Sequence, residues 1–296
     1  MIKLPLKRSK LEKYLKNNIF TITAELFPPK GTDISNFKKK ALIIKDYIVA
    51  VNITDNQRAI MRTSALALSK IILDLGLEPI YQITTRDRNI LALQSDILGA
   101  SILGIKNILV LGGDHPKNGD HKNAIPVYEL DSLGLVKTIK TLENGTDYAG
   151  KVLAGVPKFF TGTALNPNLK PIDKALEEIR KKEFAGSDFF QTQPIFNISD
   201  FLEYKKLCDP HNNKNILVGI MFLKSYNFAK KLANIPGINI PENILKRLKN
   251  SNDELNEGIK IASELIKELK DKKYTQGVHI MAIGAEEYIP KILEKL

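Results

Sequence analysis

Three polar residues stand where apolar runs give way to turns, and their types suggest one kind of chemistry. Glu25 lies between Ala24 and Leu26-Phe27. A carboxyl group in apolar company favours its protonated form, which suits a general acid, whereas a structural salt bridge is the plainer reading. Asp114 follows Gly112 and Gly113, a pair that lets backbone approach a flat ligand while presenting one carboxylate. Such a carboxylate can accept two hydrogen bonds from an amidine-like edge, as on a pterin or a flavin. A loop-capping aspartate would look the same. Gln193 offers both a donor and an acceptor at the end of another run, and a structural glutamine would do so too.

Other candidates read less sharply. Arg86-Asp87-Arg88 either pair with one another and cap a helix or bind phosphate or ribose. Tyr226 is either core packing or a ring that stacks on a ligand. His115, His121, His211 and His279 lack metal-site spacing, so ordinary loop or core roles are expected and no metal is assigned. Cys208, the only cysteine, cannot form an intramolecular disulfide, which fits a reducing compartment.

The elements that position these residues follow from periodicity. Short β-rich apolar runs fall at Phe20–Leu26, Tyr47–Thr54, Pro79–Thr85, Ile108–Gly113, Gly155–Thr163, Asp188–Gln193, Ile216–Phe222 and Gly277–Ile283. Amphipathic stretches alternate with them: Ile34–Lys45, Ala59–Leu75, Asn89–Leu103, Ser132–Leu142, Ile172–Ala185, Ile198–Cys208, Tyr226–Asn234, Pro241–Lys249, Asn252–Lys272 and Ala285–Lys295. Several strands are nearly continuous apolar runs, as in a parallel sheet covered by helices on both faces. Eight such cycles predict an α/β chain folded as a single-domain (β/α)8 TIM barrel over residues 1–296, with a short basic N-terminal extension, 1–18. An open doubly wound sheet is the rival, but no G-x-G-x-x-G follows the first strand. The polar residues then gather at C-terminal strand ends, where barrel enzymes place their chemistry. The irregular stretch His115–Leu130 is long enough to be functional.

Composition limits the alternatives. At 296 residues and 43% hydrophobic content the chain can bury a full-size core. The net charge of +11 comes from lysines scattered over expected helix surfaces, without Trp or interleaved aromatics, which argues against nucleic acid. Attraction of a polyanionic substrate tail is a second use for that charge. Pro5, Lys7, Arg8 and Lys10 interrupt the N-terminus, and no run approaches the roughly 18 apolar residues of a membrane span, so a soluble cytoplasmic protein with no membrane partner is expected.

Five segments together resemble the ordered motifs of methylenetetrahydrofolate reductases: Ala24-Glu25-Leu26-Phe27-Pro28-Pro29, Asn52-Ile53-Thr54-Asp55-Asn56, Gln82-Ile83-Thr84-Thr85-Arg86-Asp87-Arg88-Asn89, Gly112-Gly113-Asp114-His115-Pro116 and Thr192-Gln193-Pro194. The similarity runs from about Thr21 to Leu248, and the Asp-Arg-Asn and Gly-Asp-His-Pro versions are similar to a bacterial and archaeal branch of one-carbon metabolism. The resemblance implies a flavin-containing (β/α)8 barrel. FAD would pass a hydride from NADH, NADPH or an electron-transfer partner subunit to methylenetetrahydrofolate or a related tetrahydropterin, giving the 5-methyl product. Glu25 would be the general acid and Asp114 the aspartate that binds the pterin near the flavin. Gln193 and Tyr226 would contact substrate. Thr54, Gln82, Thr84 and Lys182 would contact flavin, and Gly113 and Asn166 join Asp114 as cofactor-binding candidates. A homo-oligomer is the expected assembly. The chain departs from the family at Ala175, where a flavin-contacting aspartate is usual, with Asp173 nearby. It also lacks an Asn-Arg pair in Gly277–Gly284. A folate-binding subunit of a larger electron-transfer complex and a non-redox pterin-binding protein are the alternatives.

Overall fold

The computed structural model describes residues 8–211, 213–235 and 238–296. Eight parallel strands close into a barrel in sequence order. They are β1 (Thr21–Leu26), β2 (Ala50–Ile53), β3 (Glu78–Thr84), β4 (Asn107–Leu111), β5 (Phe160–Leu165), β6 (Phe189–Pro194), β7 (Ile216–Met221) and β8 (Gly277–Met281). Helix α1 (Lys10–Lys16) precedes β1. The strands are then joined by α2 (Ser35–Ile44), α3 (Ala65–Asp74), α4 (Ile90–Ile102), α5 (Ser132–Glu143), α6 (Ile172–Ala185) and α7 (Ile198–Cys208). Three helices, α8 (Tyr226–Ala233), α9 (Glu242–Lys249) and α10 (Glu254–Asp271), separate β7 from β8, and α11 (Ile289–Leu293) follows. Among the described residues no helix is long and apolar enough to cross a membrane.

Successive strand residues point to opposite faces, and this period of two splits the apolar residues into two cores. Val51, Ile53, Tyr81, Ile83, Ile108 and Val110 face outward against the helices. Ala50, Ile80, Leu109, Phe160, Phe189 and Leu217 face inward and fill the N-terminal half of the barrel. Phe160 and Phe189 stack there with centroids 5.0 Å apart. Gly162 makes the space, because a Cβ on it would come within 2.3 Å of the Phe189 ring.

The segment expected as an extension is, in its described part, a plug for the N-terminal mouth. Leu11 and Leu15 of α1 are 0% and 1% exposed and join the inward core. Each contributes about 1.5–3 kcal/mol by leaving water. The Glu78 carboxylate, at the start of β3, accepts the backbone N–H groups of Lys10 at 2.7 Å and Leu11 at 2.9 Å, which fixes the helix start. Residues 1–7 of the expected extension lie outside the described residues.

Among the element boundaries that differ from the periodicity reading, three have a clear local reason. Helix α3 begins at Ala65 rather than Ala59, since Arg58 and Ala59 adopt left-handed φ of 58° and 55° and Ser64 caps the helix by accepting from the Ala67 N–H. Strand β5 begins at Phe160 rather than Gly155, whose φ is 100° and which Pro157 follows without a donor. The last helix divides into a 3-10 turn, Glu286–Tyr288, and α11, with Pro290 in its first turn.

Candidate active site

The inward faces of the strands change character along the barrel. Ala50 is followed two residues on by Asn52, Ile80 by Gln82, Phe189 by Gln191, and Gly277 by His279. The same alternation that packs the N-terminal half therefore lines the C-terminal half with polar groups. They open into a cavity of about 340 Å3, within the size range of small-molecule sites. Glu25, Asp114 and Gln193 all line it, as do Gln82, Thr84 and Gly113. Six of the ten residues singled out from sequence thus meet around one space.

Glu25 lies deep, 4% exposed, opposite Asn52 in the β1–β2 register. Its Oε2 is 3.8 Å from His279 Nε2, and its buried Oε1 has no hydrogen-bond partner among the described residues. An unpaired buried carboxylate oxygen is costly unless a ligand completes it. The neighbour is an imidazole within ion-pair distance but beyond hydrogen-bond distance, so the contact is a salt bridge only when that ring is protonated. Asn52 and Gln191 lock the floor through reciprocal amide bonds of 2.7 and 3.1 Å.

Asp114 and Gln193 are exposed at the rim. Gly113 has φ 85°, and a Cβ on it would sit 3.1 Å from both Arg86 Cβ and Thr84 Cβ, so glycine is required by conformation and by space. The long loop braces this turn: the Tyr128 hydroxyl donates to the Gly113 carbonyl at 2.9 Å, and the Val127 N–H donates to the Arg86 carbonyl at 2.7 Å. Burial raises the Tyr128 pKa, with Arg86 opposing and Asp114 adding, which keeps the hydroxyl a donor. Gln193 sits in a register irregularity between Gln191 and Pro194 on the β6–β7 edge, a distortion that re-aims side chains at barrel rims.

Within the Arg-Asp-Arg group Arg86 pairs with Asp87, while Arg88 pairs with carboxylates outside the group. Arg86, 2% exposed, donates to both oxygens of Asp87 at 2.7 and 2.6 Å and through Nη1 to the Asp114 carbonyl. Burial opposes the charge of the Asp87 carboxylate, but hydrogen bonds and charge from Arg86, with help from Asn56 and Arg88, hold its pKa below the usual value. Arg88 is shared between Asp55 and Asp96. Asp55 also accepts the Thr84 N–H and hydroxyl, both at 2.9 Å, so the Thr84 donor is already committed.

The remaining candidates do not line the cavity. Thr54 is fully buried with an unpartnered Oγ1. Tyr226 is half-buried against the cluster formed by α8, α9 and α10. Asn166 caps its own turn by accepting the Asn168 N–H. Lys182 reaches the outer wall of the barrel, where its ammonium is held by the Ala164 carbonyl and Glu178. Ala175 is packed in the core between helix and barrel.

His279, for which an ordinary loop or core role is expected from sequence, lines the cavity. The available signal was the spacing Gly277-x-His279-x-Met281, which puts the imidazole on the inward face of a barrel strand.

The flavin that the resemblance implies can be tested against these residues. Gln82, Thr84 and the Gly112-Gly113 backbone present a polar, sterically open ledge, since a Cβ on Gly112 would meet nothing within 4 Å. A ring system fits that ledge. Lys182 is engaged elsewhere and Ala175 has no charge, so neither supplies a diphosphate anchor.

A (β/α)8 barrel plugged at one mouth and polar at the other, with a buried carboxyl group beside an open cavity, defines the class: a barrel of the enzyme type with its candidate site at the C-terminal strand ends. The chain belongs to the methylenetetrahydrofolate reductase family, which matches it over residues 10–296. It is 28% identical to methylenetetrahydrofolate reductase 2 of Saccharomyces cerevisiae over 229 residues, 75% of this chain and 37% of that protein. It therefore spans little more than a third of that relative's length. It is 23% identical to the 5,10-methylenetetrahydrofolate reductase of Buchnera aphidicola subsp. Schizaphis graminum, over 93% of this chain and 91% of that one. Among solved structures, a Clostridium thermocellum protein described as binding two copies of 5-methyl-5,6,7,8-tetrahydrofolic acid superposes with a TM-score of 0.65 at 19% identity, covering 97% of this chain and all of that one. At that identity the likeness concerns the fold.

Proposed function

We propose that this chain reduces 5,10-methylenetetrahydrofolate, or a closely related tetrahydropterin, to its 5-methyl form. The observation that carries the reading is the meeting of Glu25, Asp114 and Gln193 around one cavity in a chain of this family. The overall change breaks the bond between N10 and the one-carbon bridge, adds a proton to N10 and adds a hydride to the carbon. Glu25 is the proton source: buried, with one oxygen unpartnered, it can donate to the departing amine and leave a cationic iminium at N5. The Asp114 carboxylate accepts from the amidine edge of the pterin and stabilises that cation by charge. The Gln193 amide fixes the ring orientation. Gln82, Thr84 and the Gly112-Gly113 backbone would hold a flavin, which when bound would supply the hydride.

The departure at Ala175 and the engagement of Lys182 with the Ala164 carbonyl and Glu178 bear on how the electrons arrive. With Ala175 uncharged and the Lys182 ammonium already engaged, flavin held chiefly by its ring is retained weakly, and reducing equivalents come from NADH, NADPH or a partner protein. The test replaces Glu25 by Gln. Reoxidation of pre-reduced flavin by methylenetetrahydrofolate should fall by at least about 10²-fold, the usual contribution of a general acid. Flavin reduction by the electron donor should stay within a few-fold of wild type. Normal folate turnover in Glu25→Gln would remove the reading.

A further inference from the structure

A second cavity, about 390 Å3, lies beside the first, and the two share Gln57 and Arg58 as lining residues. Its walls combine aromatic and proline surface, from Phe27, Pro28, Pro29 and Phe37, with cationic groups, Arg58, Arg62 and Lys40. The cations differ in how they are satisfied. Lys40 is paired with the buried carboxylate of Glu286 at 2.5 Å. Arg58 is exposed, and its side chain has no ion pair or hydrogen bond among the described residues. Arg62 has no carboxylate partner there; its Nη1 donates to the Pro28 carbonyl at 2.9 Å, and its buried Nε has no partner. The buried Gln57 Oε1 is likewise unpartnered.

The backbone that presents Arg58 is held in an unfavourable conformation. Asn56, Arg58 and Ala59 all have positive φ, of 45°, 58° and 55°, and none is glycine. Such residues cost of order 1 kcal/mol each and persist only where surrounding contacts enforce them. Here Asn56 accepts the Arg62 N–H at 2.9 Å and donates to Asp87 at 3.3 Å. The Ala59 carbonyl also packs where a Cβ on Gly119 would sit, 1.8 Å from it. The loop is braced from two sides, and the result is an unpaired guanidinium at the junction of two cavities.

We propose that this second cavity receives the acidic tail of the substrate whose pterin head occupies the first. The ligand chemistry is an aryl amide carrying carboxylates, such as an aminobenzoyl-glutamate. The aryl ring lies against Phe27, Pro28 and Phe37, the amide donates to Gln57 Oε1, and the carboxylates pair with Arg58 and Arg62. This inference rests on the pterin reading above and adds where the tail goes. It also gives a residue to the tail in a chain whose last strand, Gly277–Met281, and the turn after it through Gly284 carry no arginine.

The test measures binding of 5-methyltetrahydrofolate and of a 5-methyltetrahydropterin without the tail to wild type, Arg58→Gln, Arg58→Lys and Arg58→Glu, each checked for an unchanged melting temperature. FAD is titrated in parallel. Wild type should prefer the tailed ligand. Arg58→Gln should reduce that preference about tenfold, the worth of one charge-assisted contact, Arg58→Glu should reduce it further, and Arg58→Lys should retain part of it. An unchanged preference in Arg58→Gln and Arg58→Glu overturns the inference and leaves the pterin reading standing. Weakened FAD binding with an unchanged tail preference overturns it too, by giving the cavity to a dinucleotide. Failure of wild type to bind either pterin removes both the reading and the inference.

Discussion

The carboxylate of Glu25 and the imidazole of His279 face each other at the floor of the cavity, with Oε2 3.8 Å from Nε2 and both side chains nearly buried. The far side of the ring is held by its neighbours: Nδ1 is 3.0 Å from Thr23 Oγ1 and 3.5 Å from Gln191 Nε2. An amide nitrogen only donates, so its approach makes Nδ1 an acceptor and leaves the imidazole proton on Nε2, toward Glu25. Thr23 is opposite His279 in the β1–β8 register, so adjacent strands fix the arrangement.

His279 should therefore act through Glu25 as a positioning residue. In His279→Phe, kcat for folate reduction should fall about tenfold or more while KM changes little, because the substrate-contacting groups remain. A rise in KM with kcat unchanged would show that the imidazole serves binding and not the acid.

The Arg86–Asp87 pair makes a pH prediction. The folded-state pKa of Asp87 is lowered from its ordinary 3.8, so the pair stabilises the fold fully above that value and the contribution is lost as pH falls through the lower folded value. The difference in melting temperature between wild type and Asp87→Asn should be greatest near neutrality and shrink below about pH 4. A difference independent of pH would contradict the assignment.

The plug gives a stability prediction. Leu11→Ala and Leu15→Ala each remove a buried side chain from the N-terminal mouth, and each should cost about 2–5 kcal/mol in denaturant unfolding. Values below about 0.5 kcal/mol would mean that α1 is a loosely attached extension after all.

How much was legible beforehand follows from which physical signals are local. The eight apolar runs were readable because burial on both faces leaves a continuous hydrophobic signature, and Glu25 was readable because its apolar neighbours make a carboxyl conspicuous. Asp114 was readable from the two glycines before it. The place of His279 was not, because the carboxyl group it faces lies 254 positions away in the chain. Arg58 escaped notice because its left-handed backbone is imposed by Asn56 and by the Gly119 turn rather than by its own residue type. Lys182 and Tyr226 matched family positions in order, but the engagement of one with Ala164 and Glu178 and the packing of the other against α8–α10 depend on tertiary contacts that spacing does not carry.

The most direct measurement is a crystal structure of the protein with 5-methyltetrahydrofolate bound. The account predicts one pterin ring in the first cavity, with the Asp114 carboxylate on its amidine edge, the Gln193 amide beside it and a Glu25 oxygen about 2.6–3.2 Å from a ligand nitrogen. A pterin bound away from Glu25, or one reached by Asp114 but not by Glu25, would contradict it.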